Sequence, residues 1–132
     1  MAAIERPVAK PRPVYLNLLA IRQPLPAIVS VLHRISGALL FAVGIPLLLW
    51  FVQTSLASGD GYAAAFAPLS SWFGKLVLLA LAWAWIHHVL AGLRHLALDL
   101  HIGVDLAPAR KASAVVMVVA ILLTQIVAVR LW

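Results

Sequence analysis

Residues Leu76–Asp99 read LVLLALAWAWIHHVLAGLRHLALD. From Leu76 to Leu93 no residue carries a formal charge, a run of about 18 residues, which is the length that crosses roughly 30 Å of hydrocarbon as a helix. The end of that run then gathers His87, His88, Arg94, His95 and Asp99. Ionisable groups are costly in lipid, so at this depth they face a ligand, a cofactor or another helix rather than acyl chains. His88, Gly92, His95 and Asp99 are separated by steps of four, three and four, which aligns them on one helical face.

Two further uncharged stretches, Ile35–Gly59 and Ala112–Val129, are as long. With 132 residues, 64% of them hydrophobic, and a mean hydropathy of +1.05, the chain holds more apolar surface than a soluble domain of this size buries. The expected fold is an all-α membrane protein with three transmembrane helices. No stretch alternates as a barrel strand does, and three segments are too few to close a barrel. The net charge of +6 orients the chain. Arg6, Lys10, Arg12, Arg22, Arg34, Arg94, Arg110 and Lys111 fall on one side, against Lys75 and Arg130 on the other. The positive-inside rule then sets the N-terminus in the cytoplasm, or the matrix of an organelle, and the C-terminus across the membrane.

The absence of cysteine excludes disulfides, thiolate-bound iron–sulfur clusters and a covalently attached haem, so any metal here rests on histidine. The N-terminal region, with Pro7, Pro11, Pro13, Pro24 and Pro26 among basic residues, has no apolar core of the kind a cleaved signal needs. Residues 1–25 are expected to form an extended cytoplasmic segment and residues 26–132 a three-helix transmembrane domain, with helices at about 26–52, 70–99 and 110–131. Pro26 suits a first helical turn, whereas Pro46 lies inside the first span and should kink the helix near residue 42. Ser58-Gly59-Asp60-Gly61 and Pro68 mark residues 53–69 as an exposed outer loop. Trp50, Trp72 and Trp132 are expected near the outer interface.

In the first span Ser30, His33, Arg34 and Gly37 make a polar strip at i, i+3, i+4 and i+7. Arg34 lies about 12 Å into the helix. It either snorkels and ends the span, or meets a bound anion or carbonyl. Counting inward from Asp99 puts His95 about 6 Å and His88 about 16 Å deep, with Arg34 level with His95. His88 is either hydrogen-bonded to a neighbouring helix or a ligand to a flat cofactor such as haem b. In the latter case the propionates would meet Arg34, His33, Arg94 or His95, and Gly92 would admit the porphyrin. His33 counts several ångströms too shallow to sit opposite His88, so a second axial ligand is expected from another chain. His87, on a different face, is expected to hydrogen-bond a neighbouring helix, His101 to be solvated, and Trp83 and Trp85 to serve packing.

The run Arg12-Pro13-Val14, then Ser30-Val31-Leu32-His33-Arg34-Ile35-Ser36-Gly37, and His88-x-x-x-Gly92-x-Arg94-His95 with Asp99, closely resembles the cytochrome b556 subunits of succinate dehydrogenase over nearly the whole chain. The resemblance implies a haem b-binding anchor packed with a second membrane-anchor subunit that donates the other haem ligand. It also implies an iron–sulfur subunit and a flavoprotein, which alone carry the clusters and FAD, and an enzyme in which this chain holds no complete active site. It further implies His88 as the axial haem iron ligand, Ser30 and Arg34 lining a ubiquinone site, and His33, Arg34, Arg94, His95 and Gly92 around the haem. The location implied is the bacterial inner membrane. A quinol:fumarate reductase anchor and a haem-free structural anchor are the alternative readings; a small transporter is disfavoured by the lack of internal repeats.

Overall fold

The computed structural model describes Asn17 and residues 20–132. Residues 1–16, 18 and 19, most of the segment expected to be extended, lie outside the described residues. The described residues form helices α1 (Leu25–Leu39), α2 (Ile45–Ala57), α3 (Gly61–Ser70), α4 (Trp72–Asp99) and α5 (Leu106–Leu131), with a π-helical segment, Leu40–Gly44, joining α1 to α2. Three continuous helical runs are long and apolar enough to cross a membrane: Leu25–Ala57 with 33 residues, Trp72–Asp99 with 28 and Leu106–Leu131 with 26. The chain is a multi-pass, all-helical membrane protein.

The first span carries its expected irregularity as a change of hydrogen-bond register. Pro46 has no N–H to give to residue 42, and the ladder around that carbonyl widens so that the Ile45 N–H donates to the Leu40 carbonyl, five residues back. The span nevertheless continues to Ala57, beyond the expected end near Val52.

Most of the stretch expected to be an outer loop is helix. Only Ser58–Asp60 turns, closed by the Gly61 N–H donating to the Ser58 carbonyl at 3.0 Å. Tyr62-Ala63-Ala64-Ala65-Phe66-Ala67 then folds as α3. Alanine is the strongest helix former, and Pro68 comes too late in this short helix to prevent it. Ser71 starts α4 as its N-cap, accepting from the Gly74 N–H at 3.0 Å while its hydroxyl donates to the Pro68 carbonyl at 2.6 Å. α4 ends in a Schellman turn: the His101 N–H donates to the Leu98 carbonyl and the Ile102 N–H to the Ala97 carbonyl, both at 2.9 Å. The left-handed position of that turn, φ 61°, falls on His101 rather than glycine. α5 begins at Leu106, about one turn before the expected start, with Pro108 in its first turn, where a missing N–H costs nothing.

α4 is the central helix, packed against α1 on one side and α5 on the other. The interfaces are built from small side chains, with Ala84, Ala91, Ala109, Ala120, Ser36 and Ser113 all buried, so that backbones approach closely. The Ser113 and Thr124 hydroxyls donate to the carbonyls of Ala109 and Ala120 four residues back, each at 2.7 Å, which satisfies them without a second helix. Large apolar residues point outward instead: Val31, Leu48, Leu93, Ile126 and Val129 are all exposed. Such an arrangement is unstable in water and natural in lipid, where acyl chains solvate the outside. The Lys75 ammonium lies 5.5 Å from the Trp132 ring, bringing the start of α4 and the end of α5 to one end of the bundle, with Trp72 exposed beside them.

Candidate functional site

The polar residues of α1 and α4 meet where the two helices face one another. The His33 ring stacks on the His88 ring, centroids 4.1 Å apart and planes inclined by 14°. Its other neighbour is His95, 5.1 Å away and tilted by 44°. Three imidazoles therefore form a column between the helices. The depth count set His33 several ångströms too shallow to sit opposite His88; the rings are nevertheless in contact, because long imidazole side chains reach across a stagger that a count of Cα levels does not include.

Backbone carbonyl and serine together hold His88. Its Nδ1 lies 3.0 Å from the His33 carbonyl and 3.2 Å from the Ser36 hydroxyl, and that hydroxyl donates to the same carbonyl at 2.9 Å. A carbonyl only accepts, so Nδ1 carries the proton and donates to it. The other ring nitrogen, Nε2, then keeps its lone pair, and no described residue hydrogen-bonds it. Imidazole fixed in this tautomer by a carbonyl is the form that binds a metal through Nε2. Gly37 supplies the space: a Cβ there would stand 2.8 Å from His88 Cε1, closer than real Cβ contacts occur. A Cβ on Gly92 would stand 3.6 Å from His33 Nε2, an ordinary contact.

Ser36 is the site residue that reasoning from spacing did not single out. Its signal was a serine three residues after His33 and directly before Gly37, on the same side of α1, and its side chain is fully buried.

The other candidates separate by face. Ser30 and Arg34, one turn apart on α1, stand at the edge of the column, Ser30 partly buried and Arg34 exposed. A separate apolar cleft of about 280 Å³ is lined by Gln23, Ala27, Ile28, Val31 and Leu32, and neither Ser30 nor Arg34 is among its walls. Asp99 is exposed at the end of α4. Arg94 does not join the histidines. Six residues on from His88, it lies on another side of α4 at about 100° per residue, and it lines a cleft toward α5. His87 is fully buried; neither ring nitrogen meets full hydrogen-bond geometry among the described residues, but the backbone of Val29 on the neighbouring α1 lies close enough to interact with the ring, in the direction expected. The ring also stacks on Trp83, one turn back on α4, with centroids 5.4 Å apart and planes inclined by 17°.

Membrane-length helices whose polar interior is a column of histidines define the class: a small polytopic membrane protein with imidazoles packed between two of its spans. Residues 8–128 match the family described as Succinate dehydrogenase/Fumarate reductase transmembrane subunit, and the chain belongs to that family. The chain is 39% identical to the succinate dehydrogenase cytochrome b556 subunit of Paracoccus denitrificans over 102 residues, covering 77% of this chain and 78% of that one. It is 32% identical to the subunit of the same name from Coxiella burnetii over 123 residues, covering 92% and 97%. With the subunit from Rickettsia typhi the identity is 28% over 126 residues, covering 96% and 98%.

Proposed function

We propose that this chain is the haem b-binding anchor of a succinate:quinone oxidoreductase of a bacterial inner membrane, N-terminus cytoplasmic. The observation that carries the reading is the 3.0 Å contact of His88 Nδ1 with the His33 carbonyl, which favours the tautomer whose Nε2 lone pair would be available to iron. When bound, haem b exchanges single electrons. His88 would be its axial ligand on this chain, with His33, His95 and Arg34 toward the propionates and Gly92 leaving room beside them. His33 rests face to face on His88, and a second anchor subunit would supply the other side chain that holds the haem iron.

Ser30 and Arg34, one turn apart on α1, would serve ubiquinone. Two-electron reduction places negative charge on the quinone oxygens before protons arrive. A guanidinium and a hydroxyl already in place stabilise that charge better than solvent, which must reorganise. The Arg34 side chain holds the charge and the Ser30 hydroxyl donates a hydrogen bond. Succinate oxidation, FAD and the iron–sulfur clusters belong to partner subunits docked on the same side of the membrane.

The test is His88→Leu in the assembled complex, read by the reduced-minus-oxidised absorption spectrum and the haem content. A lost or shifted b-type band is expected. An unaltered spectrum at full haem content removes His88 from the site.

A further inference from the structure

Outside the histidine column the described residues include one buried cation, Arg94, and none of them gives it a counter-charge. Arg94 is 9% exposed, its Nε is shut off from solvent without a hydrogen-bond partner, and among the described residues neither Asp99 nor Asp105 pairs with it. The side chain points into a cavity of about 440 Å³ between the end of α4 and the start of α5. The remaining walls are apolar, including Leu93, Leu98, Ile102, Ala112 and Val115. Burying a guanidinium among hydrocarbon without an anion costs more than its neighbours return. Two features nearby have the same sign. The first turn of α5 has free N–H groups and no side-chain cap from Asp105, and Arg110 and Lys111 are exposed one turn on.

We infer that this cleft is a binding site for the headgroup of an anionic phospholipid, with Arg94 holding the phosphate. Arg94 stands five residues from the end of α4, about 8 Å in, a depth at which a phosphodiester lies when its acyl chains run on toward the bilayer centre. Leu93 at 59%, Ile102 at 63% and Val115 at 60% exposure continue the cleft onto the lipid-facing surface, which acyl chains would cover and an inorganic anion would not. The Arg94 guanidinium presents a fork of N–H donors to two phosphate oxygens. The backbone N–H groups at Leu106 and Ala107 and the Arg110 and Lys111 side chains draw the same anion from the interface.

The complex containing this chain, extracted in mild detergent and washed free of lipid, is offered phosphatidylglycerol or phosphatidylcholine of identical acyl chains, and retained lipid is counted by native mass spectrometry. One phosphatidylglycerol is retained in preference to phosphatidylcholine. Arg94→Gln lowers that preference about tenfold, the loss of a charge-assisted hydrogen bond, and Arg94→Lys, which keeps the charge but loses the fork, lowers it by less. Ala112→Phe, at an exposed position facing the cleft, blocks retention with Arg94 intact, which separates a lost site from a misfolded one. Equal retention of the two lipids, or no effect of either Arg94→Gln or Ala112→Phe, overturns the inference. So does full displacement of phosphatidylglycerol by inorganic phosphate, or protection of Ala112→Cys from a thiol reagent by a partner subunit in the lipid-free complex. None of these readouts uses haem or quinone, so they stand or fall apart from the redox function.

Discussion

Gly37→Ala tests how tightly the bundle holds the histidine column. The added methyl carbon would lie 2.8 Å from His88 Cε1 and 3.3 Å from its Nδ1, where ordinary contact begins at 3.4 Å. The ring has nowhere to retreat without loss. Its opposite side is covered by His33 at 4.1 Å, and its Nδ1 is tied to the His33 carbonyl at 3.0 Å. Overpacking of this kind costs about 1–3 kcal/mol, and stretching the Nδ1 hydrogen bond adds about 1 kcal/mol. Alanine's better helix propensity returns up to about 1 kcal/mol, so the net is a loss of about 1–3 kcal/mol. If the displaced imidazole is the one that binds iron, haem affinity falls about 10–100-fold, the usual consequence of disturbing the group that orients a ligating histidine. The assay is haem per complex by pyridine haemochrome, with thermal unfolding of the complex read in parallel. Gly59→Ala is the matched control, since nothing lies within 4 Å of an added Cβ there, and it should change haem content by less than about twofold. Full haem content and unchanged stability in Gly37→Ala would refute the packing of His88 against the α1 backbone.

Arg34→Leu should lower quinone reduction by about 100-fold while succinate oxidation by an artificial acceptor stays near wild type; equal quinone reductase rates would remove Arg34 from the quinone site. Ser36→Ala removes a hydroxyl 3.2 Å from His88 Nδ1 but leaves the carbonyl partner, so the haem should remain and its midpoint potential should move by tens of millivolts, as potentiometric titration reads. His101→Gly relieves a positive φ of 61° in a non-glycine residue and should raise the thermal midpoint by a few degrees, equivalent to about 1 kcal/mol; a lowered midpoint would mean that the imidazole itself holds the turn. Pro46→Ala restores an N–H for residue 42 and should return the Leu40–Gly44 segment to α-helical register, visible as slowed amide exchange at residue 46 relative to its neighbours.

What the sequence decided by itself is what local chemistry decides. Hydropathy over a span length and charge between spans are properties of consecutive residues, so three transmembrane helices were legible at once. So was the disturbance near residue 42, because a proline withdraws its hydrogen bond at a fixed offset. The family followed from the paired motifs around His33 and His88. Helix α3 was misread because the breakers at its ends, Gly59 to Gly61 and Pro68, outweighed the alanines between them. The tertiary structure alone decided which groups touch. Periodicity puts His88 and His95 on one face of α4, but whether His33 reaches that face depends on the tilt and stagger of α1 against α4 and on side-chain rotamers, none of which is encoded in either segment alone. The same non-local geometry brought Ser36 under His88 and set Arg94 against a cleft toward α5.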